Sequence, residues 1–286
     1  NTTFNNGVSD SSSNSSIIVN AASNFVQGMS ISGTLDVASA QTATLSGASS
    51  VGSLQLNGDL AGAGSLTVVG GAQFSGTNNV TVASLITQGT STVSGTAVEL
   101  GSTTNWNNQG VINWSAGNLS SSANGVLDNQ GVINISGTAG TLGTELNNLA
   151  GGQITQSAAG TVTVSQLIDN AGDVTLTAGV LDTQNGFDQS AGQLILSGGG
   201  LQGGGTTVNI SGGSVDYNSG ALNADMLIDS AASLNVNSNL TTTNQLIVDG
   251  AAVVAAAATL DLTQANTHAG NFTVDGALST SAAQTF

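Results

Sequence analysis

The side chains able to do chemistry in this chain are few, and nearly all carry one sign. There are 16 acids, 14 of them Asp, a single histidine (His268), and no Lys, Arg or Cys. Any nucleophilic triad with a histidine base rests on His268, which lies in a polar stretch from Gln264 to Gly270 and reads as a surface turn residue. Glycoside hydrolysis needs two carboxyl groups across a scissile bond, one with a raised pKa. The candidate pairs are Asp169/Asp173, Asp182/Asp188 and Asp225/Asp229, and all fall in or beside turns. With no cation available to hold an acidic sugar, they read as solvated turn residues. The expectation is no catalytic residue and no enzyme. A metal is the remaining chemistry: Asp169, Asp188 and Asp229 take similar pre-anchor places in different coils and could line one edge for calcium, a hard cation that collects several oxygen ligands. The Gly-rich aspartate nonapeptide of calcium β-rolls is absent, and no other cofactor is expected.

A net charge of −16 with no basic side chain bounds the partners as well. Nothing here can clamp a phosphate, which excludes nucleic acid and anionic lipid as ligands. The longest apolar run, Gly250–Leu260, is too short to span a bilayer, so no membrane insertion is expected. Trypsin-type proteases have no cleavage site, and the absence of Cys suits an extracellular product that does without disulfides. The chain begins at Asn1 rather than Met, which we read as a processed form or an excised region.

The elements that must position these residues show themselves in a duplication. Asn107-Asn108-Gln109-Gly110-Val111-Ile112-Asn113-Trp114-Ser115 returns 21 residues later as Asp128-Asn129-Gln130-Gly131-Val132-Ile133-Asn134-Ile135-Ser136, with seven of nine positions identical. Each copy is a turn followed by a short strand whose apolar residues sit two apart, on one face of an extended chain. Anchoring on the turn residue places further copies at Ser15, Gly33, Gly52, Gly70, Gly89, Gly152, Gly172, Gly192, Gly213, Ala232, Ala252 and Gly270, always 18–21 residues apart. The inward pairs run from Ile17/Val19 to Phe272/Val274. Three coils fit poorly: Ser91/Val93, Ile154/Gln156 and Val254/Ala256. Residues 1–16 are polar and read as an N-terminal tail outside the repeat, free to serve as a strand for a neighbouring molecule. Residues 17–286 are then one continuous solenoid.

Strands at a period near 20, with no helical pattern between them, predict an all-β fold: a single parallel β-helix of about 14 coils. Winding is expected to be right-handed, the rule for parallel crossovers. At ~4.8 Å per coil the stack would form a rod on the order of 65 Å long. Before many anchors an apolar residue is followed by Asn or Asp, as in Trp106-Asn107-Asn108, Ile168-Asp169-Asn170 and Phe187-Asp188-Gln189, and these would stack as amide ladders. Ala251–Ala258 reads as strand, and the triplets Gly198–Gly200 and Gly203–Gly205 as a loop bulging from one coil. Thr-x-Thr occurs at Thr161, Thr175 and Thr241 but at different phases of the coil, which argues against an ice-binding face.

Gly-Val-Ile-Asn after an Asn-containing turn, together with Gly58-Asp59-Leu60-Ala61-Gly62-Ala63-Gly64-Ser65-Leu66-Thr67-Val68, resembles the repeats of filamentous-haemagglutinin-type adhesins and autotransporter passengers, over roughly Ile17 to Phe286. The resemblance implies secretion across an outer membrane and attachment to surfaces or other cells. The functional expectation is a non-enzymatic extracellular structural or adhesive protein, a subunit of a cell-surface fibre. Its expected partner is a second copy, through the solenoid ends and the N-terminal segment. The alternatives are a monomeric stalk binding a surface or glycan, a polysaccharide-active enzyme, and an ice- or carbohydrate-binding module.

Overall fold

A computed structural model describes residues 2–286, and of Ala139 the backbone. It is all-β with no helix, its parallel strands stacked as a β-solenoid of about 14 turns. Contacts divide the chain into two compact units, Asn1–Leu146 and Asn147–Phe286.

In the first unit each turn covers three faces, some turns with three short strands and others with a long one, such as Met29–Val37, that runs across two faces. The face after the anchor glycine carries the inward columns Ile17-Leu35-Leu54-Ala72-Ser91-Ile112-Ile133 and Val19-Val37-Leu56-Phe74-Val93-Trp114-Ile135, in unbroken parallel register. We call this the anchor face. A second, the ladder face, precedes each anchor, and the third closes the coil. Alternation is what the pleat dictates: Val111 to Trp114 and Val132 to Ile135 run half-buried, buried, half-buried, buried. The tryptophans are accommodated because each indole N–H has an acceptor. Trp106 donates to Thr87 Oγ1 at 3.0 Å and Trp114 to the carbonyls of Ala116 and Gly117 at 3.1 and 3.0 Å. Phe74 packs on Trp106 with centroids 4.9 Å apart.

The second unit repeats the plan. Its anchor-face columns are Ile154-Val174-Leu194-Val215-Leu234-Ala252-Phe272 and Gln156-Leu176-Leu196-Tyr217-Val236-Val254-Val274. The three coils that fitted poorly are explained here. Ser91 and Gln156 do point inward and are fully buried. Gln156 manages this by donating its amide to the carbonyls of Gly160 and Val180 at 3.2 and 3.1 Å. The third misfit was a misplaced anchor. Ala252 and Val254 pair with Leu234 and Val236, so the anchor is Gly250 rather than Ala252, and Ala251–Val254 is a strand.

Why glycine marks the corner is clear at Gly131, where a Cβ would lie 2.0 Å from the carbonyl oxygen of Gly110, one turn below. At Gly192 the left-handed φ of 69° adds a second reason. The Gly198–Gly200 triplet is not a loop. It lies within the strand Gln193–Gly203, where the pairing shifts register on either side of Ser197, and only the segment after Gly203 leaves the sheet.

Residues 2–16 also differ from a free tail. Thr2–Phe4 pairs in parallel with Ser23–Phe25 and Val8–Asp10 with Met29–Ile31, so this segment forms strands of the first turn. Phe4 stacks flat on Phe25 at 4.9 Å. Asn1 lies outside the described residues.

Candidate functional site

The pre-anchor Asn and Asp residues form two ladders, one on each side of the sheet. The third residue of each triplet points inward. In the first unit Thr87 Oγ1 donates to Asn108 Oδ1 at 3.3 Å, and Asn108 Nδ2 donates to Asn129 Oδ1 at 2.8 Å. In the second unit Asn148 Nδ2 donates to Asn170 Oδ1 at 2.7 Å, and Asn170 Nδ2 to Gln189 Oε1 at 3.1 Å. Thr87, Asn108, Asn129, Asn148 and Gln189 are fully buried and Asn170 nearly so. A buried amide must be bonded to be tolerated. The ladder meets that demand by also donating to corner carbonyls, for instance Asn108 and Asn129 to those of Gly110 and Gly131 at 3.3 and 3.2 Å.

The second residue of each triplet points outward, and here the calcium candidates part company. Asp169 and Asp188 are register partners on adjacent turns. Burial, and then the neighbouring Asp188 carboxylate, push the Asp169 carboxyl above its usual range. Asp188 is braced from the next turn by Asn209, whose Nδ2 donates to Oδ1 at 2.8 Å. Asp229 does not join them. The residue level with Asn209 on the turn above is Leu227, and Asp229 sits two residues on, at the corner, where its carboxylate accepts from the Ser230 N–H at 2.6 Å. Two carboxylates fall short of the several oxygens calcium takes. Among the described residues, no three His, Cys, Asp or Glu come together as a metal would require.

Several acids have a structural task that a motif search does not see. The Oδ1 atoms of Asp59, Asp173, Asp225 and Asp249 accept the backbone N–H of Asn79, Gln193, Gln245 and Ala269 at 2.8, 3.1, 2.9 and 3.1 Å. Each bond spans 20 residues, one turn of the solenoid. The four acids stand at different phases of the coil and their partners are backbone N–H groups, so no side-chain pattern in the sequence marks them. Asp173 and Asp225, two members of the carboxylate pairs considered for glycosidase chemistry, are thereby turned toward a neighbouring turn.

His268 also differs from its sequence reading: it is buried, 3% exposed, on the inward side of the ladder face. One open, polar depression of about 500 Å³ is lined by Ser9, Asp10, Ser11, Ser30 and Ser32. Among the described residues no helix is long and apolar enough to cross a membrane. Comparison with protein families, curated proteins and solved structures returns no match for this chain.

Proposed function

We propose that this chain is a non-enzymatic, extracellular structural or adhesive protein, a subunit of a cell-surface fibre that associates end to end. The observation that carries the reading is the state of the terminal strands. Among the described residues, Thr2–Phe4, Val8–Asp10 and Ser16–Val19 each pair on one side only, as do Asn271–Val274 and Ala277–Thr280 at the other terminus. An unpaired strand edge is a template for another chain. Apolar side chains lie exposed beside these edges: Phe4, Ile18 and Val26 at one terminus, Val274 and Phe286 at the other. Lys, the usual edge guard, is missing from the whole sequence. Unlike ends that meet head to tail do not close a ring and so propagate.

Repulsion between copies of charge −16 opposes association, so it strengthens with salt, divalent cations or mild acid. The uncharged outward column Gln55-Gln73-Thr92-Asn113-Asn134 supports the second reading, a stalk that lays a polar face on a neutral surface or glycan. Light scattering and electron microscopy of the full chain, beside a chain lacking residues 1–16, separate the two. Growth that changes when the first turn is removed supports the fibre. A strictly monomeric full chain at high concentration, in calcium and in chelator, at low and high salt, leaves the stalk.

A further inference from the structure

The inward column that holds the ladder continues past Gln189 through Ile210, Ile228 and Val248, and in the second unit it ends on His268, an imidazole after three hydrocarbon levels. His268 Nδ1 accepts the backbone N–H of Val248 at 3.1 Å, and Nε2 lies 3.0 Å from Gln284 Oε1. The first bond fixes the second: Nδ1 is an acceptor, so Nε2 carries the proton and donates it to Gln284. The backbone N–H of His268 donates to the Thr285 carbonyl at 2.8 Å. Phe286 stacks on the ring at 5.2 Å and Phe272 meets it edge-on at 5.4 Å. The last strand, Gln284–Thr285, is only two residues long and pairs with Asn266–Thr267 alone. It is held by that pairing, by the Gln284 Nε2 bond to the Gln264 carbonyl at 2.6 Å, by the contact of Phe286 with Phe272 at 5.2 Å, and by the His268 ring, the one titratable member of the set.

We propose that His268 is a proton-operated latch on the last turn. With a neutral ring, residues 284–286 lie across Asn266–Thr267; a proton taken up at Nδ1 faces the Val248 N–H, both nitrogens become donors, and the ring must leave. The charged groups on the elements packed around it are Asp249, directly after the strand carrying Val248, and Asp275, directly after the strand carrying Phe272. The Asp249 carboxylate already accepts from the Ala269 N–H at 3.1 Å. The neighbourhood yields easily: Asn266 Oδ1 is buried without a partner, so opening this turn returns an unsatisfied acceptor to water. Release bares the Asn266–Thr267 edge. Its consequence for assembly, more association in acid, rests on the end-to-end reading above.

Hydrogen exchange at low protein concentration tests the latch on the full chain. Corrected for the intrinsic rate, exchange across residues 277–286 is expected to rise about tenfold or more from about pH 7.5 to about pH 5, while the 194–217 region stays protected. His268→Gln keeps an acceptor and a donor, as Gln189 does in the same column, and is expected to abolish the rise. Asp249→Asn is expected to retain it. An equal acid response in His268→Gln, a response lost in Asp249→Asn instead, or none in the native chain overturns the latch. Light scattering on the same samples keeps the two readings apart: acid-dependent exchange without association defeats the fibre and leaves the latch standing.

Discussion

Within the first unit one inward column changes chemistry halfway along. Ile31, Val51 and Val68 stack as hydrocarbon, and the next three levels are Thr87, Asn108 and Asn129. All six are buried and all six levels share the same parallel pairing. The difference lies in what each level asks of its neighbours. An apolar level asks only for bulk, so Ile and Val interchange and the corner beyond it is free to vary. An amide level must place a donor and an acceptor opposite those of the next turn and still reach a corner carbonyl. In the first unit residue and spacing hold together at these levels, whereas the second unit's ladder meets the same demand with steps of 22 and 19 residues and a Gln at its end. Gly89, Gly110 and Gly131 are 21 residues apart each time, whereas Gly33, Gly52 and Gly70 stand 19 and then 18 apart. Literal duplication of Asn-Gln-Gly-Val-Ile-Asn survives where hydrogen-bond geometry holds it.

The largest effect is expected where a charge enters an apolar level. Ile133, 2% exposed, stacks on Ile112, and Ile133→Asp leaves an unpaired carboxylate there. A loss of about 3 kcal/mol or more in chemical denaturation is expected. Its neighbour Asn134 faces outward but donates to Asn113 Oδ1 at 3.0 Å, so Asn134→Asp is expected to cost about 1 kcal/mol rather than nothing. Equal losses at the two sites would mean that inward and outward are not the distinction that matters.

A reciprocal exchange sharpens the comparison at intermediate size. Val51→Asn puts an amide between Ile31 and Val68, with no side-chain partner at either level, and is expected to cost about 2–3 kcal/mol. Asn108→Leu has the better hydrophobe but takes the acceptor from Thr87 and the donor from Asn129 and Gly110, at about 1–2 kcal/mol. A stabilised Asn108→Leu would show that the ladder fixes register at the expense of stability.

Legibility follows the same division. The anchor series and its period-two pairs, which need only hydropathy, are readable from Ile17 to Val274, and Phe272 stands in the register expected of it. Polar residues that break hydropathy without breaking register, Ser91 and Gln156, are not, because nothing in their own stretch of sequence marks them as inward. Gln156 is held by carbonyls on its own turn and the next. The Ala run hides its anchor for a related reason: with alanine on both faces, alternation gives no phase, and only Gly250 marks the corner. His268 looks like a turn residue because its partners, Val248 and Gln284, are 20 and 16 residues distant. Of the three candidate calcium ligands, the coil period correctly stacks Asp169 on Asp188. A longer corner between ladder and anchor conceals that Asp229 belongs to the corner itself.

The smallest expected effect sits on the outer side of the second unit's ladder, at the same two turns. Inward, Asn170 donates to Gln189; outward, the same register sets Asp169 against Asp188. What is favourable for amides is unfavourable for carboxylates. Burial first, and Asp188 second, raise the Asp169 carboxyl above its usual range. A carboxyl whose folded value lies above its unfolded value is penalised in the fold when ionised. That penalty is present at neutral pH and disappears as pH falls through the folded value toward the ordinary Asp range, about 4. Asp169→Asn removes it, so the variant is expected to be more stable than the native chain at neutral pH, with the gain shrinking as the solution approaches about pH 4. Asp169 remains largely solvated, which limits the gain to a few tenths of a kcal/mol. Asp188→Asn relieves the same repulsion but weakens the bond from Asn209, and its net change is expected near zero. Thermal melts of both variants across that pH range check the assignment. A gain for Asp188→Asn that matches or exceeds the gain for Asp169→Asn would place the strain on the other carboxylate.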